Sequence, residues 1–223
     1  FGSGVRKATG FINKKLPVVQ EIVDVSINDP ESDQVMCSPS SRNNKRKSNR
    51  NKREERINFR SFFMNSMRQN NSLRHLDLSN NEISDPGAQT IADMLSVNTG
   101  LNHLNLQLNK ITPRGAKYIA ASLEKNNALE TLLLDMTKIE DEGVGYVCTS
   151  LSKNNTLKIL SLKNNGIGDE GAKSIASMLA VNSSLSTLIL RNNRISFSGT
   201  LSLAEMLPGS SLESLDMSVN PIG

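Results

Sequence analysis

His75 and His103 are the only two histidines in this chain of 223 residues, and they stand 28 positions apart. Each is followed two residues later by a polar acceptor, Asp77 or Asn105. An imidazole pair beside a carboxylate can hold a transition metal or titrate near neutrality. Two imidazoles are too few for a closed tetrahedral site, so the expectation is a stacked surface pair without a ligand, and no metal or other cofactor is implied. The two cysteines, Cys37 and Cys148, have no C-x-x-C spacing and are too few for a disulfide framework. Their scarcity favours a reducing compartment, here the cytoplasm. No nucleophile is paired in sequence with a base, and no glycine-rich phosphate loop occurs, so the chain is read as a non-enzyme. Asn70, Asn154 and Asn182 each open an N-x-S/T triplet. These fall at one recurring turn, where Asn and Ser are favoured for their own hydrogen bonds, and that reading is preferred to glycosylation.

A second candidate chemistry is phosphate binding. Residues 42–56 hold eight Lys/Arg against two Glu, a local charge of +6, within a chain whose net charge is +4. The segment includes Lys45, Arg46, Lys47, Arg50, Lys52 and Arg53. Such a cluster can serve nuclear import, or contact nucleic acid or anionic lipid by releasing counterions from phosphates. No aromatic residue is interleaved to stack on bases. A solvated basic linker is the preferred reading. The adjoining Arg56-Ile57-Asn58-Phe59 resembles the docking motif for protein phosphatase 1, in which Ile and Phe enter pockets as an extended strand. Phe59 also fits a helix face, and one residue cannot easily serve both. Ser38-Pro39 is a weak phosphorylation signal.

These residues hang on a repeat. Units start at Leu73, Leu101, Leu129, Leu157, Leu185 and Leu212. Each opens L-x-x-L-x-L-x-x-N-x-I and runs on to G-A-x-x-I-A-x-x-L-x-x-N. The first half alternates, as Leu76-x-Leu78, which is strand spacing. The second half recurs at three and four, as Ala88, Ile91, Ala92 and Leu95, which is helix spacing. One strand and one helix cannot bury both apolar faces alone, whereas stacked units can. The fold class expected is α/β: a solenoid with parallel strands inside and helices outside, plus an N-terminal tail.

Other fixed positions have local reasons. The ninth residue is Asn81, Asn109, Asn165, Asn193 or Asn220, suited to bonding backbone where the strand ends. Thr137 replaces it in the third unit and should lose part of that bonding. Gly87, Gly115, Gly143, Gly171 and Gly199 precede or open the helices, where room is short. Asp85, Asp141 and Asp169 suit the positive end of the helix dipole. Asn98, Asn126, Asn154 and Asn182 sit at the turn into the next strand.

The pattern resembles the ribonuclease-inhibitor-like leucine-rich repeats, a family that includes ribonuclease inhibitor, the activator of the Ran GTPase, NOD-like receptors, tropomodulins and ciliary proteins. The resemblance implies a horseshoe and a protein-binding role. It leaves open an alternative as a GTPase activator, a receptor sensor region or a ciliary structural subunit. The activator's catalytic residues have no match here.

The domain reading is a tail and basic linker over 1–54, largely without ordering signals from residue 28, a capping helix over 55–72, and the array over 73–223, cut within its last unit. Phe59, Phe63 and Met67 give the capping helix its apolar face. No run is long and apolar enough to span a membrane. The candidate site is the concave face. Outward positions in the early units are polar, His75, Asp77, His103 and Asn105. In the middle units they are Leu133, Asp135, Met136, Ile159, Lys163, Ile189 and Arg191. Apolar groups where the pattern demands none, rimmed by charge, mark a surface for a protein partner.

Overall fold

The computed structural model describes residues 64–223. Six short strands, β1 (His75–Asp77), β2 (His103–Asn105), β3 (Thr131–Leu133), β4 (Ile159–Ser161), β5 (Thr187–Ile189) and β6 (Ser214–Asp216), form one parallel sheet in chain order. Between them run α1 (Asp85–Leu95), α2 (Pro113–Leu123), α3 (Glu140–Leu151), α4 (Asp169–Leu179) and α5 (Phe197–Met206). The register is one repeat throughout: His75 pairs with His103, then Thr131, Ile159, Thr187 and Ser214. Each α-helix packs on the next, so a strand layer and a helix layer share one continuous core.

The sequence period explains that core. The middle residue of each strand up to β5 is a buried leucine, and its neighbours on either side face the other way. In α1 the buried set is Gly87, Ala88, Ile91, Ala92, Met94 and Leu95, a stripe at helical spacing. The small residues let helices approach, and the large ones fill the gap to the strands. Burial of one such Leu or Ile is worth about 1.5–3 kcal/mol.

Residues 64–69 are helical, and Met64 and Met67 are buried against the first unit. These residues fall within the stretch 55–72 read from sequence as a capping helix. Phe59 and Phe63, the basic cluster, the Arg56-Ile57-Asn58-Phe59 motif, Cys37 and Ser38 lie outside the described residues.

Two columns of asparagine run through the stack. At the helix ends, Asn126 donates to Leu95 O (2.7 Å) and Asn98 O (3.0 Å), and accepts from the amides of Ala128 and Leu129. Asn98, Asn154 and Asn182 repeat this arrangement, all buried. The side-chain amides of Asn154 and Asn182 are thus consumed in the core, which excludes their modification in the folded array. At the ninth position, Asn109 accepts from the amides of Asn81 (3.1 Å) and Ile83 (2.9 Å) and donates to Leu78 O and Leu106 O. Each asparagine closes its own turn and also bonds its neighbour, so stacking satisfies backbone groups that burial would otherwise strand.

The helix starts use a third device. Asp85 accepts the Thr112 amide (2.9 Å) and hydroxyl (2.7 Å). Asp141 accepts the amides of Gly168 (2.7 Å) and Gly171 (3.1 Å), and Asp169 those of Ser196 (2.8 Å) and Gly199 (3.1 Å). Sequence position alone assigns these carboxylates to their own helix. They cap the start of the next one instead, a full repeat away. A Cβ on Gly171 would stand 2.5 Å from Asp141 Oδ1, and one on Gly199 would stand 2.5 Å from Asp169 Oδ1. The glycines are there because the neighbouring carboxylate needs the space.

Candidate functional site

The sheet has a core face and a free face. The free face is built from the first and third residues of each strand and from the residues that continue each ladder beyond it. Thr131, Leu133, Ile159, Thr187 and Ile189 are half-buried there. The register makes a checkerboard: Ile159 lies between Thr131 and Thr187, and Ser161 lies between Leu133 and Ile189. Ser161 is fully covered, so the three aliphatic side chains dominate what a partner would meet.

Lys163 is half-buried and Arg191 is exposed, each two residues past the end of its strand on adjacent units. The ion pairs among the described residues are Lys110–Glu82, Lys153–Glu124, Lys158–Glu130 and Lys173–Glu170, so Lys163 and Arg191 are in none of them. Both cations lie close enough to Asp216 to help lower its pKa, although hydrogen bonds from the Ser218 hydroxyl and amide are the larger cause.

Asp135 differs from what its position suggested. Read as an outward charge, it is 9% exposed, and its carboxylate accepts the Ser161 hydroxyl and the Lys163 amide (2.9 Å). Its role is to bond the next unit. The reason lies on the next strand. Asp77, Asn105 and Asp216 each accept the amide two positions on, closing the strand exit locally. Ser161 holds that place in the fourth unit, and the Lys163 amide two positions on is accepted by Asp135 of the third unit instead.

Met136 is 44% exposed and has φ of 54°. Its equivalents in the other units are Asn80, Leu108, Asn164, Asn192 and Val219, all with φ between 54° and 61°. Asn tolerates this left-handed backbone; Leu, Met and especially β-branched Val do so at a cost of about 1–2 kcal/mol. Leu108 is 46% exposed. Sequence reasoning missed Leu108; the Asn at three of the six equivalent positions was the signal for it.

The histidines do stack, with ring centroids 5.3 Å apart and planes tilted by 34°. The pKa of His103 is lowered, first by burial and then by His75, with Asp77 opposing. Among the described residues no group of three or more His, Cys, Asp or Glu is placed to hold a metal. Cys148 lines a groove between α3 and α4 together with Gly145, Thr149, Ser174 and Ser177. Burial pushes its thiol up to about 12, so no thiolate is available there for nucleophilic attack. No helix among the described residues is long and apolar enough to cross a membrane.

Residues 69–92, 97–120 and 153–176 match a family model described as Leucine Rich repeat. No curated protein sequence matches the chain. Solved structures are similar in fold. A chain described as Leiomodin-1 Actin-Binding Site 2 has 21% identity and a TM-score of 0.58, covering 65% of this chain and 85% of that one. The tropomodulin C-terminal domain of Caenorhabditis elegans has 14% identity and a TM-score of 0.58, covering 67% and 91%. The array is a solenoid of stacked strand-and-helix units, parts of which match the leucine-rich repeat model and whose fold is similar to that of these solved chains.

Proposed function

We propose that this leucine-rich repeat protein is a non-enzymatic cytoplasmic scaffold or adaptor, holding a protein partner on the free face of its sheet around residues 131–191. The observation that carries the reading is the aliphatic trio Leu133, Ile159 and Ile189, half-open to solvent beside Lys163 and Arg191, which form no ion pair within the array. The repeat needs no apolar residue at those positions. Where it has none, in β1 and β2, it carries His75, Asp77, His103 and Asn105 and stacks equally well. Aliphatic surface bordered by charge is the composition of interface cores and rims.

The test is capture of partners by the full chain, read by mass spectrometry, with the combined variant Leu133→Asp, Lys163→Glu, Arg191→Glu as control. These side chains face outward, so circular dichroism should stay unchanged while specific partners are lost. Actin belongs in the first panel, because the similar leiomodin chain is described as an actin-binding site. Retention of every partner by the folded variant would place binding elsewhere. Stimulated GTP hydrolysis across a panel of small GTPases would replace the scaffold reading with a regulatory one.

A further inference from the structure

If the free face is the binding surface, as the scaffold reading holds, its side chains also define the chemistry of the partner. The first observation is the charge that crosses it. Beyond the strands of the third to fifth units stand Lys138, Lys163, Arg191 and Arg194, none in an ion pair among the described residues. Asp135, bonded by the Ser161 hydroxyl and the Lys163 backbone amide, Asp216, bonded by Ser218, and the exposed Glu140 are the carboxylates among them, so the cations are in excess. In the first two units the corresponding places hold Ser79 and Gln107, and Lys110 is paired with Glu82 at 3.4 Å. The excess of cationic side chains therefore lies on the units that also carry the aliphatic trio.

The second observation is independent of charge. Leu108 and Met136 are large, exposed and held in left-handed backbone, at a position where Asn stands in the first, fourth and fifth units. The Leu108 amide donates to Asp135 O (2.9 Å), which places the two side chains on adjacent units at the strand exit. An apolar side chain there gains nothing from the core and strains its own backbone. Strain kept at an exposed position points to a contact made outside the array.

We propose that the free face takes an acidic protein segment carrying aliphatic or aromatic side chains. Its apolar groups seat on Leu133, Ile159 and Ile189 and extend to Leu108 and Met136. Its carboxylates face Lys163 and Arg191. Cations that repel basic segments would supply selectivity, while the apolar contacts supply most of the holding.

A randomised peptide library displayed on phage, panned against the full chain, tests this directly. Enriched clones should share acidic residues interspersed with Leu, Ile, Phe or Trp. The tightest, made as a free peptide, should weaken at least tenfold on Lys163→Glu with Arg191→Glu. It should also weaken severalfold on Leu108→Asn with Met136→Asn. The second pair installs the residue that the fold itself uses at that backbone position, so a folding defect is not expected to confuse the result. A basic or uncharged consensus overturns the proposal, as does binding indifferent to both variants. Residues 21–33 hold five carboxylates, Glu21, Asp24, Asp29, Glu31 and Asp33, and clones that appear only after these are neutralised would assign the face to that segment of the chain and overturn it too. If Leu133→Asp abolishes partner capture while the asparagine pair leaves peptide affinity untouched, the scaffold reading stands and this extension falls.

Discussion

The third and fourth repeat units have the same length and the same strand and helix, yet they are joined to their neighbours differently. Where the fourth unit meets the fifth, Asn193 accepts the amides of Asn165 (2.9 Å) and Ile167 (3.1 Å) and donates to Leu162 O and Leu190 O. Thr137 holds the equivalent place where the second unit meets the third. Its hydroxyl has one proton to share between Leu134 O and Asn165 Oδ1, and it makes no bond to the amides of Asn109 or Ile111. The carboxylate cap is absent at the same joint. Pro113 stands where Asp85, Asp141 and Asp169 stand in other units, and α3 starts one residue early from Ile139, which is itself in helical backbone. The third unit is also where the free face turns aliphatic, with Leu133 displacing the local cap of the strand exit. The contrast teaches that bonds between units are partly exchangeable for surface: the unit that stacks least regularly is the one most adapted to face outward.

The largest expected effect comes from breaking the regular joint. Asn193→Ala removes five bonds from a buried site and should cost about 3 kcal/mol, since each stranded buried amide or carbonyl costs roughly 1–3 kcal/mol. Thr137→Ala removes one hydroxyl and should cost about 1 kcal/mol. Urea unfolding of both variants measures the gap, and equal losses would show that the two joints are equivalent after all. Next is Gly171→Ala, whose Cβ would displace the Asp141 carboxylate and should cost about 2 kcal/mol, in the range of overpacked sites. Gly145→Ala, in α3, has only Ser174 Oγ within 4 Å, at 3.9 Å, and should be neutral or stabilise by about 0.5 kcal/mol. The sharper test of the comparison is Thr137→Asn. It restores the missing acceptor for two amides and should raise stability by about 1 kcal/mol. No gain would mean that the third unit has relaxed around threonine.

Most of the architecture was legible because it depends on period. Leu76-x-Leu78 and Ala88-Ile91-Ala92-Leu95 each declare a geometry within a few residues, and spacings of 28 residues, with 27 at the last, make the register follow. The candidate face was legible in part. Leu133, Ile159 and Ile189 do share it, but on two rows with Ser161 between them, because neighbours in a parallel sheet are set by register and not by likeness. The acceptors for Thr112, Gly168 and Ser196 were out of reach of local reasoning. Asp85, Asp141 and Asp169 lie 27 residues before them, and only the depth of stacking decides which amide a carboxylate meets. Asp135 was misread for the same reason: an outward position says nothing about a hydroxyl on the next strand.

The smallest effect expected is one of acidity, and it separates the two kinds of joint in another way. Hydrogen bonds from the Ser196 hydroxyl and amide, with a smaller part from the Gly199 amide, hold the Asp169 carboxyl below the usual carboxylate range. A carboxylate whose folded pKa lies below its unfolded value stabilises the fold fully above the unfolded pKa of about 3.9, and loses that contribution as pH falls through the folded value. The joint between α4 and α5 should therefore loosen below about pH 4. The joint between α2 and α3 has Pro113 in that place and no group there to titrate. Asp169→Asn should flatten the acid limb of stability against pH while leaving the slope near neutrality unchanged. Carbon-detected NMR titration of the Asp169 carboxyl gives its pKa directly. A value at or above that of an ordinary aspartate would mean that the bonds from Ser196 and Gly199 do not favour the charged form, and capping between units would then stand on geometry alone.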